Sequence, residues 1–233
     1  MSTIEQNLQA VRDSIARAAV EAQRAPADVT LLAVSKTFGA DAVLAAMRAG
    51  QMAFGENYLQ EALDKIAAVR LALPQGAPAW HFIGPIQSNK TRPIAEHFDW
   101  VHTVEREKIA ARLSEQRPDG MPDLNICLQV NISGEASKSG VTPCDLPALA
   151  HAVAHLPRLR LRGLMAIPEP ETDVALQRRA FAQLRTLYEQ LKADGLALDT
   201  LSMGMSADLR AAVLEGATIV RVGSAIFGSR HYS

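Results

Sequence analysis

The chain has 233 residues, of which 48% are hydrophobic and 21% are charged, and its formal net charge is −1. These values exclude an intrinsically disordered chain, and the lack of a basic excess argues against a protein that binds nucleic acid through its phosphates. No stretch approaches the roughly 20 apolar residues of a membrane helix, and the N-terminus lacks a signal-peptide pattern, so we expect a cytoplasmic protein. Two cysteines, Cys127 and Cys144, are too few for a disulfide framework, which is typical of a reducing compartment.

The first predicted element is an amphipathic helix that ends before Pro26. Its apolar stripe at helical spacing consists of Ile4, Leu8, Val11, Ile15 and Ala18. Short apolar runs typical of strands follow at residues 31–35, 52–55, 80–84, 100–104, 124–131, 161–167, 200–204 and 218–223. Helical patterns separate these runs at residues 40–50, 59–71, 90–96, 105–116, 146–156, 174–195 and 207–215.

Eight strand candidates that alternate with helices predict parallel β/α units. The count of eight favours a single (β/α)₈ TIM barrel with one extra helix in front of it. A doubly wound open sheet shows the same alternation and is the structural alternative. No linker rich in Pro, Gly or Ser divides the chain, so we expect one domain over residues 1–233.

The active site of such a barrel lies at the C-terminal ends of its strands, where Lys36 follows the first apolar run. Partial desolvation there would lower the pKa of this lysine, and a neutral amine attacks an aldehyde to form a Schiff base. The alternative is a lysine that only marks the end of the strand and points to water. Position alone favours that alternative.

Polar residues also follow the second and third predicted strands. Glu56 and Asn57 supply an acceptor and a donor after the second strand, although an asparagine there also suits a helix cap. A polar cluster at residues 87–90 follows the third strand, and Ser88 or Asn89 would cap the next helix.

The loop after the seventh strand contains Ser206, which we expect to open a helix that has Asp208 in its first turn. A serine in this position is most often a helix cap. The N-terminus of a helix that follows small residues, glycine among them, is also a typical anion-binding site. Both interpretations stay open from the residues alone.

Arg221 lies within the apolar eighth strand and shares a face with Ile219 and Gly223 by alternation. A buried arginine is costly unless it has a partner. Gly223 allows a ligand to approach the backbone closely, and Ser224 adds a hydroxyl beside it. The loops after strands seven and eight are where barrels bind phosphate, so these residues and Ser206 predict a phosphate site.

The histidines do not predict a metal site. His151 and His155 are four residues apart on a helix, but the zinc-protease glutamate is missing between them, so we expect a surface or packing role. His81 lies at the start of a strand, where we expect a buried, hydrogen-bonded ring rather than a catalyst.

Several dispersed segments, in order along the chain, resemble one family. They are Ala33-Val-Ser-Lys36, Phe54-Gly-Glu-Asn-Tyr58, His81-Phe-Ile-Gly84, Gln87-Ser-Asn-Lys90, Gly163-Leu-Met165, Ser202-Met-Gly-Met-Ser206, Val220-Arg-Val-Gly223 and Ile226-Phe-Gly228. The chain thus resembles the pyridoxal phosphate homeostasis proteins, the YggS/PROSC family of small relatives of the alanine racemase barrel. The resemblance implies a fold-type III barrel that binds pyridoxal 5′-phosphate (PLP).

The resemblance also implies roles for individual residues. Lys36 would form the Schiff base, Arg221 would face the pyridine nitrogen, and Asn57 would lie near the ring. The phosphate would be bound by Ser206, Gly223 and Ser224. Lys138 resembles a second lysine of the family that is linked with cofactor handling.

The expected function is PLP homeostasis, with apo-enzymes that depend on PLP as expected partners. A guanidinium cannot accept the pyridinium proton, so a ring facing Arg221 stays a weak electron sink. Racemases of this class also use a tyrosine from a separate C-terminal domain, and Tyr58, Tyr188 and Tyr232 are the only tyrosines here.

We therefore expect a PLP-binding protein without robust catalysis, present as a monomer or a weak dimer. A PLP-dependent amino-acid racemase is the enzymatic alternative, and a Schiff-base aldolase on the same barrel is a third possibility.

Overall fold

The computed structural model describes residues 2–134 and 139–228, and eight parallel strands within these ranges form a closed barrel. The strands are β1 (Thr30–Val34), β2 (Ala53–Glu56), β3 (Ala79–Phe82), β4 (Trp100–Val104), β5 (Leu124–Gln129), β6 (Leu159–Met165), β7 (Thr200–Ser202) and β8 (Ile219–Val222). Each strand pairs with the next in chain order, and β8 pairs with β1. The predicted TIM barrel is confirmed, and the open doubly wound sheet is excluded because β1 and β8 are not edge strands.

Helices surround the barrel as the periodicity predicts. They are α1 (Thr3–Glu21), α2 (Ala40–Arg48), α3 (Leu59–Ala72), α4 (Thr91–His97), α5 (Glu107–Gln116), α6 (Leu146–Ala154), α7 (Val174–Ala193), α8 (Leu209–Leu214) and α9 (Ser224–Phe227). The extra N-terminal helix is confirmed as α1, which buries Leu8, Val11 and Ile15 of its predicted stripe. The single turn of α9 was not predicted, since four residues are too few to show a helical period.

Most element ends differ from the sequence prediction by one or two residues, and for two of them the structure shows the cause. β7 stops at Ser202 instead of residue 204, because Gly204 has a φ of +94° and a residue in the left-handed region does not continue a strand. An added Cβ on Gly204 would also lie 2.4 Å from the Cβ of Ala212. α8 begins at Leu209 instead of residue 207, because the Asp208 carboxylate accepts a 2.5 Å hydrogen bond from the Met205 amide and holds the preceding residues in a turn.

The strands have two different faces. Leu31 and Ala33 of β1 belong to the large apolar cluster that includes the helix side chains, whereas Leu32 and Val34 do not. Since side chains alternate along a strand, Leu32 and Val34 lie on the inner face of the barrel. Leu32 is paired in register with Arg221 of β8, which alternation also places on the inner face.

Within the described ranges, none of the helices combines the length and apolar character needed to cross a bilayer. The same ranges contain no group of three or more side chains that could hold a metal ion.

Candidate functional site

Lys36 lies two residues beyond the end of β1, at the C-terminal mouth of the barrel, and is half-buried. The pairing of β1 with β2 continues past Val34, because the Ser35 amide donates a 3.1 Å hydrogen bond to the Gly55 carbonyl. Alternation therefore places Lys36 on the inner face, above Leu32 and Val34. The first predicted strand thus delivers its lysine to the mouth, as expected.

A buried charged cluster holds the residue before this lysine. Ser35 donates a 2.5 Å hydrogen bond to Glu56 Oε1, and Lys65 Nζ lies 2.6 Å from the same oxygen. Lys65 also donates a 2.8 Å hydrogen bond to the Ser35 carbonyl. Burial raises the pKa of Glu56, while the charge of Lys65 and its hydrogen bond oppose that rise. Glu56 therefore acts in positioning the strand end and not as a mouth-facing acceptor, which corrects the sequence interpretation.

The residue after Lys36 is fixed by the same cluster. The Thr37 amide donates a 2.7 Å hydrogen bond to Glu61 Oε1, which also lies 2.9 Å from Lys65 Nζ. Thr37 has a φ of +71°, in the left-handed region that a β-branched residue rarely adopts. The turn that carries Lys36 is therefore held on both sides by contacts to α3.

Arg221 is a buried cation whose hydrogen-bond acceptors, Ser202 and the Ala166 carbonyl, are neutral. It is 4% exposed, and its Nη1 donates to Ser202 Oγ at 2.8 Å while its Nη2 donates to the Ala166 carbonyl at 3.0 Å. Desolvation lowers the pKa of Arg221 to about 10, and the charge of Asp208 opposes this shift. Because the guanidinium remains charged at neutral pH, it retains a strong attraction for an electron-rich or anionic ligand.

The loops after β7 and β8 lie side by side beside this arginine. The Arg221 amide donates a 2.9 Å hydrogen bond to the Gly204 carbonyl, which joins β8 to the loop after β7. Gly223 follows β8, and a Cβ added there would lie 3.1 Å from the Val34 carbonyl of β1. Ser206 and Ser224 are both exposed at this end of the barrel. The predicted phosphate residues thus lie on two adjacent loops next to β1, the strand that Lys36 follows.

Neither Ser206 nor Asn57 is the helix cap that the alternative interpretation proposed. The residue before α8 is Asp208 and the residue before α3 is Tyr58, and neither helix has a side-chain cap. Asn57 Oδ1 is buried without a hydrogen-bond partner among the described residues. The capping prediction for Ser88 or Asn89 is also wrong, because these residues form a 3₁₀ turn ahead of α4 with no side-chain cap.

A cavity of about 350 Å³ opens beside Asn57 at the mouth. It is lined by residues from the ends of several strands, among them Ile83, Thr103, Glu105 and Gln129. Gly84 approaches the Asn57 backbone so closely that an added Cβ would lie 2.1 Å from its carbonyl oxygen. This cavity provides space for a ligand on the side of the mouth away from the β7 and β8 loops.

A hydrogen-bonded chain continues from Arg221 across the inside of the barrel. Ser202 Oγ, which accepts from Arg221, lies 2.8 Å from His102 Nδ1, and His102 Nε2 lies 2.9 Å from His81 Nδ1. The prediction of a buried, hydrogen-bonded His81 is confirmed. His102 and Ser202 have no role in the sequence prediction, although a polar residue on an apolar strand was a signal that could have found each of them.

The other candidates lie apart from this site. His155 is exposed on the outside of the barrel, where its Nδ1 lies 2.6 Å from the His151 carbonyl, as expected for a surface role. Cys127 is a fully buried core residue as predicted, and burial raises the pKa of its thiol to about 12. Lys138 falls outside the described residues.

Comparison with known proteins identifies the family. The profile described as "Alanine racemase, N-terminal domain" matches residues 6–231. The pyridoxal phosphate homeostasis protein of Pseudomonas aeruginosa is 65% identical over 232 residues, covering 100% of this chain and 98% of that protein. The protein of the same name from Escherichia coli K12 is 53% identical over 233 residues, covering 100% and 99%. The chain belongs to the family of pyridoxal phosphate homeostasis proteins.

Solved structures agree with this family assignment. PipY of Synechococcus elongatus PCC7942, solved with PLP bound, superimposes with a TM-score of 0.84 at 38% identity, covering 97% of this chain and 100% of PipY. Alanine racemase of Corynebacterium glutamicum has a TM-score of 0.70 at 17% identity, covering 98% of this chain and 60% of the racemase. The second likeness shows the shared barrel alone. The predicted family and its alanine-racemase-like barrel are both confirmed.

Proposed function

We propose that this chain binds PLP at the mouth of its barrel and serves PLP homeostasis, as one barrel domain over residues 1–233. Lys36 holds the cofactor as a Schiff base, and Arg221 faces the pyridine nitrogen. The observation that carries this proposal is a buried, charged Arg221 with neutral hydrogen-bond partners, on the strand that pairs with β1, which Lys36 follows by two residues. Relatives named for PLP homeostasis and a PLP-bound PipY structure support it.

The residues at the mouth fit the chemical groups of PLP. When bound, PLP supplies an aldehyde that condenses with an amine and a ring that withdraws electrons. Lys36 provides the amine, and the adjacent loops provide hydroxyl and backbone donors for a phosphate at Ser206, Gly223 and Ser224. Asn57 Oδ1, a buried acceptor with no hydrogen-bond partner in the described part of the chain, suits a donor on a ligand near the ring.

Arg221 favours a carrier over a catalyst. Its pKa of about 10 keeps it charged near neutral pH, so it donates hydrogen bonds and does not accept the proton of a pyridinium. A ring nitrogen held by such a donor stays unprotonated, which weakens the electron withdrawal that carbanion chemistry requires. The arrangement supports tight, reversible binding without broad catalysis.

The described tyrosines do not supply a sequestered base opposite Lys36. Tyr188 is buried against the barrel exterior on α7, where its hydroxyl donates a 3.0 Å hydrogen bond to the Leu198 carbonyl. Tyr58 follows β2 at the mouth but is 53% exposed. An amino-acid racemase remains the alternative, and it predicts exchange of the alanine α-proton in deuterated water at a rate that falls in Tyr58→Phe. Absence of that exchange supports the carrier.

We further propose that the protein passes PLP to apo-enzymes that depend on it, and that it works in the cytoplasm. Access to the mouth supports the first point, because Ser206 and Ser224 are exposed and would leave a bound phosphate accessible. The exposed free thiol of Cys144 supports a reducing compartment. Direct transfer predicts that an apo-enzyme is activated faster than free PLP is released from the loaded protein. It also predicts that the activation rate rises with the concentration of the loaded protein.

The binding proposal is tested by incubating the purified protein with PLP and reducing it with borohydride. We expect an absorption band for the lysine-bound cofactor, and a stable adduct that peptide mass spectrometry locates on Lys36. Lys36→Ala should lose the adduct, whereas Lys108→Ala, which changes an exposed lysine of α5, should retain it. An adduct that persists at full occupancy in Lys36→Ala would refute the assignment.

A further inference from the structure

The inside of the barrel contains several polar side chains below the mouth, where barrels of this type are normally filled by branched apolar side chains. His81, His102 and Ser202 come from β3, β4 and β7, and they are 4%, 0% and 0% exposed. Arg221 completes the set at 4% exposure. Four buried polar side chains therefore lie inside the barrel, and their desolvation cost requires a reason.

The four residues form one chain that crosses the barrel. His102 Nδ1 lies 2.8 Å from Ser202 Oγ, although β4 and β7 are separated by β5 and β6 in the closed sheet. The contact must therefore pass through the interior. His81 lies at the far end, where its ring stacks on Trp100 with centroids 5.2 Å apart and planes 5° apart. The chain thus runs from a fixed aromatic stack to the guanidinium of Arg221.

Donor chemistry sets the direction of the chain. Arg221 only donates, so Ser202 Oγ must accept from it and direct its own proton elsewhere. Its other partner among the described residues is His102 Nδ1, which accepts when the hydroxyl proton is directed to it. His102 Nε2 then carries a proton and donates to His81 Nδ1. With this placement of protons each link joins one donor to one acceptor, and both rings are neutral.

Burial keeps the rings neutral. Desolvation lowers the pKa of His81 to about 3. It also lowers the pKa of His102 well below its usual value, and the charges of His81 and Arg221 act in the same direction. A chain of neutral groups fixes the guanidinium of Arg221 without cancelling its charge, which a carboxylate in place of Ser202 would do.

We propose that His102 and His81 are positioning residues that act through Ser202 to orient Arg221 toward the ring nitrogen of PLP. This inference rests on the proposed function, because it requires a pyridine ring in front of Arg221. The neutral chain leaves the arginine fully charged and fixed in one orientation. The ring nitrogen is then held as a hydrogen-bond acceptor.

The test compares binding of PLP with binding of its deaza analogue, in which a CH group replaces the ring nitrogen. We expect the native protein to bind PLP more tightly than the analogue. Ser202→Ala and His102→Leu should each weaken PLP binding roughly tenfold, the scale of one hydrogen bond to a charged group, and should weaken binding of the analogue less than about twofold. A role in packing alone would weaken both ligands equally, and that result would overturn the proposal.

Further variants distinguish the loss of the hydrogen-bonded chain of His81, His102 and Ser202 from general damage to the fold. His102→Asn keeps an amide oxygen near the position of Nδ1, so it should recover most of the preference for PLP that His102→Leu loses. The double variant Ser202→Ala/His102→Leu should bind PLP no more weakly than Ser202→Ala, since the histidine acts through the serine. His155→Leu, at an exposed position, is the control and should change neither affinity.

The failure of the proposed function gives a different result. If the native protein forms no borohydride-stable adduct with PLP on Lys36, the proposed function itself is refuted, whatever the variants of the hydrogen-bonded chain show. If it forms that adduct but binds PLP and the deaza analogue equally, Arg221 does not act on the ring nitrogen and the positioning role is refuted. Ser202→Ala leaves Arg221 Nη1 and His102 Nδ1 without their hydroxyl partner, so its thermal unfolding should shift to a lower temperature, and the comparison of the two ligands separates this loss of stability from the loss of PLP binding.

Discussion

The outer and inner faces of the barrel strands are buried to a similar degree but differ in chemistry, since the inner face places buried polar side chains beside apolar ones such as Leu32. On the outer face, Phe54 and Leu128 pack among helix side chains in one apolar cluster. On the inner face, His102, Ser202 and Arg221 are just as inaccessible to water and form a hydrogen-bonded chain. Apolar burial stabilises the fold, whereas burying a cation and two imidazoles costs free energy. The difference indicates that the outer face maintains the barrel and the inner face is maintained for a ligand.

The largest effect is expected from damage to the outer face. Phe54 is fully buried and its ring lies 5.7 Å from that of Trp80, so Phe54→Ala should lower the free energy of unfolding by about 3–5 kcal/mol. Urea unfolding of the cofactor-free protein measures this loss. Leu71→Ala, at a position 85% exposed on α3, is the matched control and should change stability by less than about 0.5 kcal/mol. Equal losses of unfolding free energy in the two variants would contradict the conclusion that packing on the outer face stabilises the fold.

The inner face should make stability depend on pH. The pKa of His81 is depressed to about 3 in the folded chain, so below pH 6.5 the unfolded chain binds more protons. The stability from its neutral ring is present above pH 6.5 and is lost as the pH falls toward 3. At about 1.4 kcal/mol per pH unit, this histidine costs about 2–3 kcal/mol between pH 6.5 and 4.5.

The comparison protein for this experiment is His81→Asn, which lacks that titrating group. Urea unfolding at a series of pH values should show the native protein losing about 2–3 kcal/mol more than the variant over the same range. Parallel pH profiles would mean that His81 binds its proton as readily in the folded barrel as in the unfolded chain, and burial would then not hold the ring neutral.

Arg221 should show a conflict between stability and binding. Arg221→Met removes a buried cation and keeps a long apolar side chain, so unfolding of the cofactor-free protein should be unchanged or require more free energy. PLP affinity should fall roughly 30-fold, or by about 2 kcal/mol, as a charged hydrogen bond is lost. Calorimetric titration and urea unfolding measure the two effects. If Arg221→Met lost stability and kept its PLP affinity, the inner face would contribute to stability and not to ligand binding, which would contradict the proposed difference between the faces.

The smallest effect is expected at the exposed rim of the mouth. Ser206→Ala should weaken PLP binding about fivefold, or by about 1 kcal/mol, through loss of one phosphate contact. Stability should not change, because Ser206 is exposed and does not cap α8. Binding of pyridoxal, which lacks the phosphate, should be the same in both proteins. Ser88→Ala serves as the control outside the site, and a loss of pyridoxal binding in Ser206→Ala would argue against a phosphate contact.

Local features that a sequence carries directly were predicted well. Trp100–Val104 has the predicted bounds, and the eight strands appear in the predicted order, because alternating β/α units leave a period that short windows reveal. The positions of Lys36 after β1 and of Arg221 on the Gly223 face follow from the same periodicity. Their roles toward PLP stay predictions.

Contacts between distant segments were not predictable in this way. Asn57 and Ser206 suit helix caps by residue type, but tertiary packing begins α3 and α8 with no side-chain cap at either helix. Glu56 also departs from its expected place, since Lys65 of α3 pairs with it behind the strand and not at the mouth. Whether a polar side chain pairs inside the protein or faces a ligand depends on neighbours far along the chain.

The amino-acid sequence by itself determined the number of strands, the enclosing helices and the delivery of Lys36 to one end of the barrel, since each follows from local hydrophobic period. Only the tertiary structure decided the bond between His102 and Ser202, which lie 100 residues apart. That bond forms because the sheet closes and brings β4 and β7 to face each other across its interior. Closure is a property of all eight strands together, and no short window of sequence contains it.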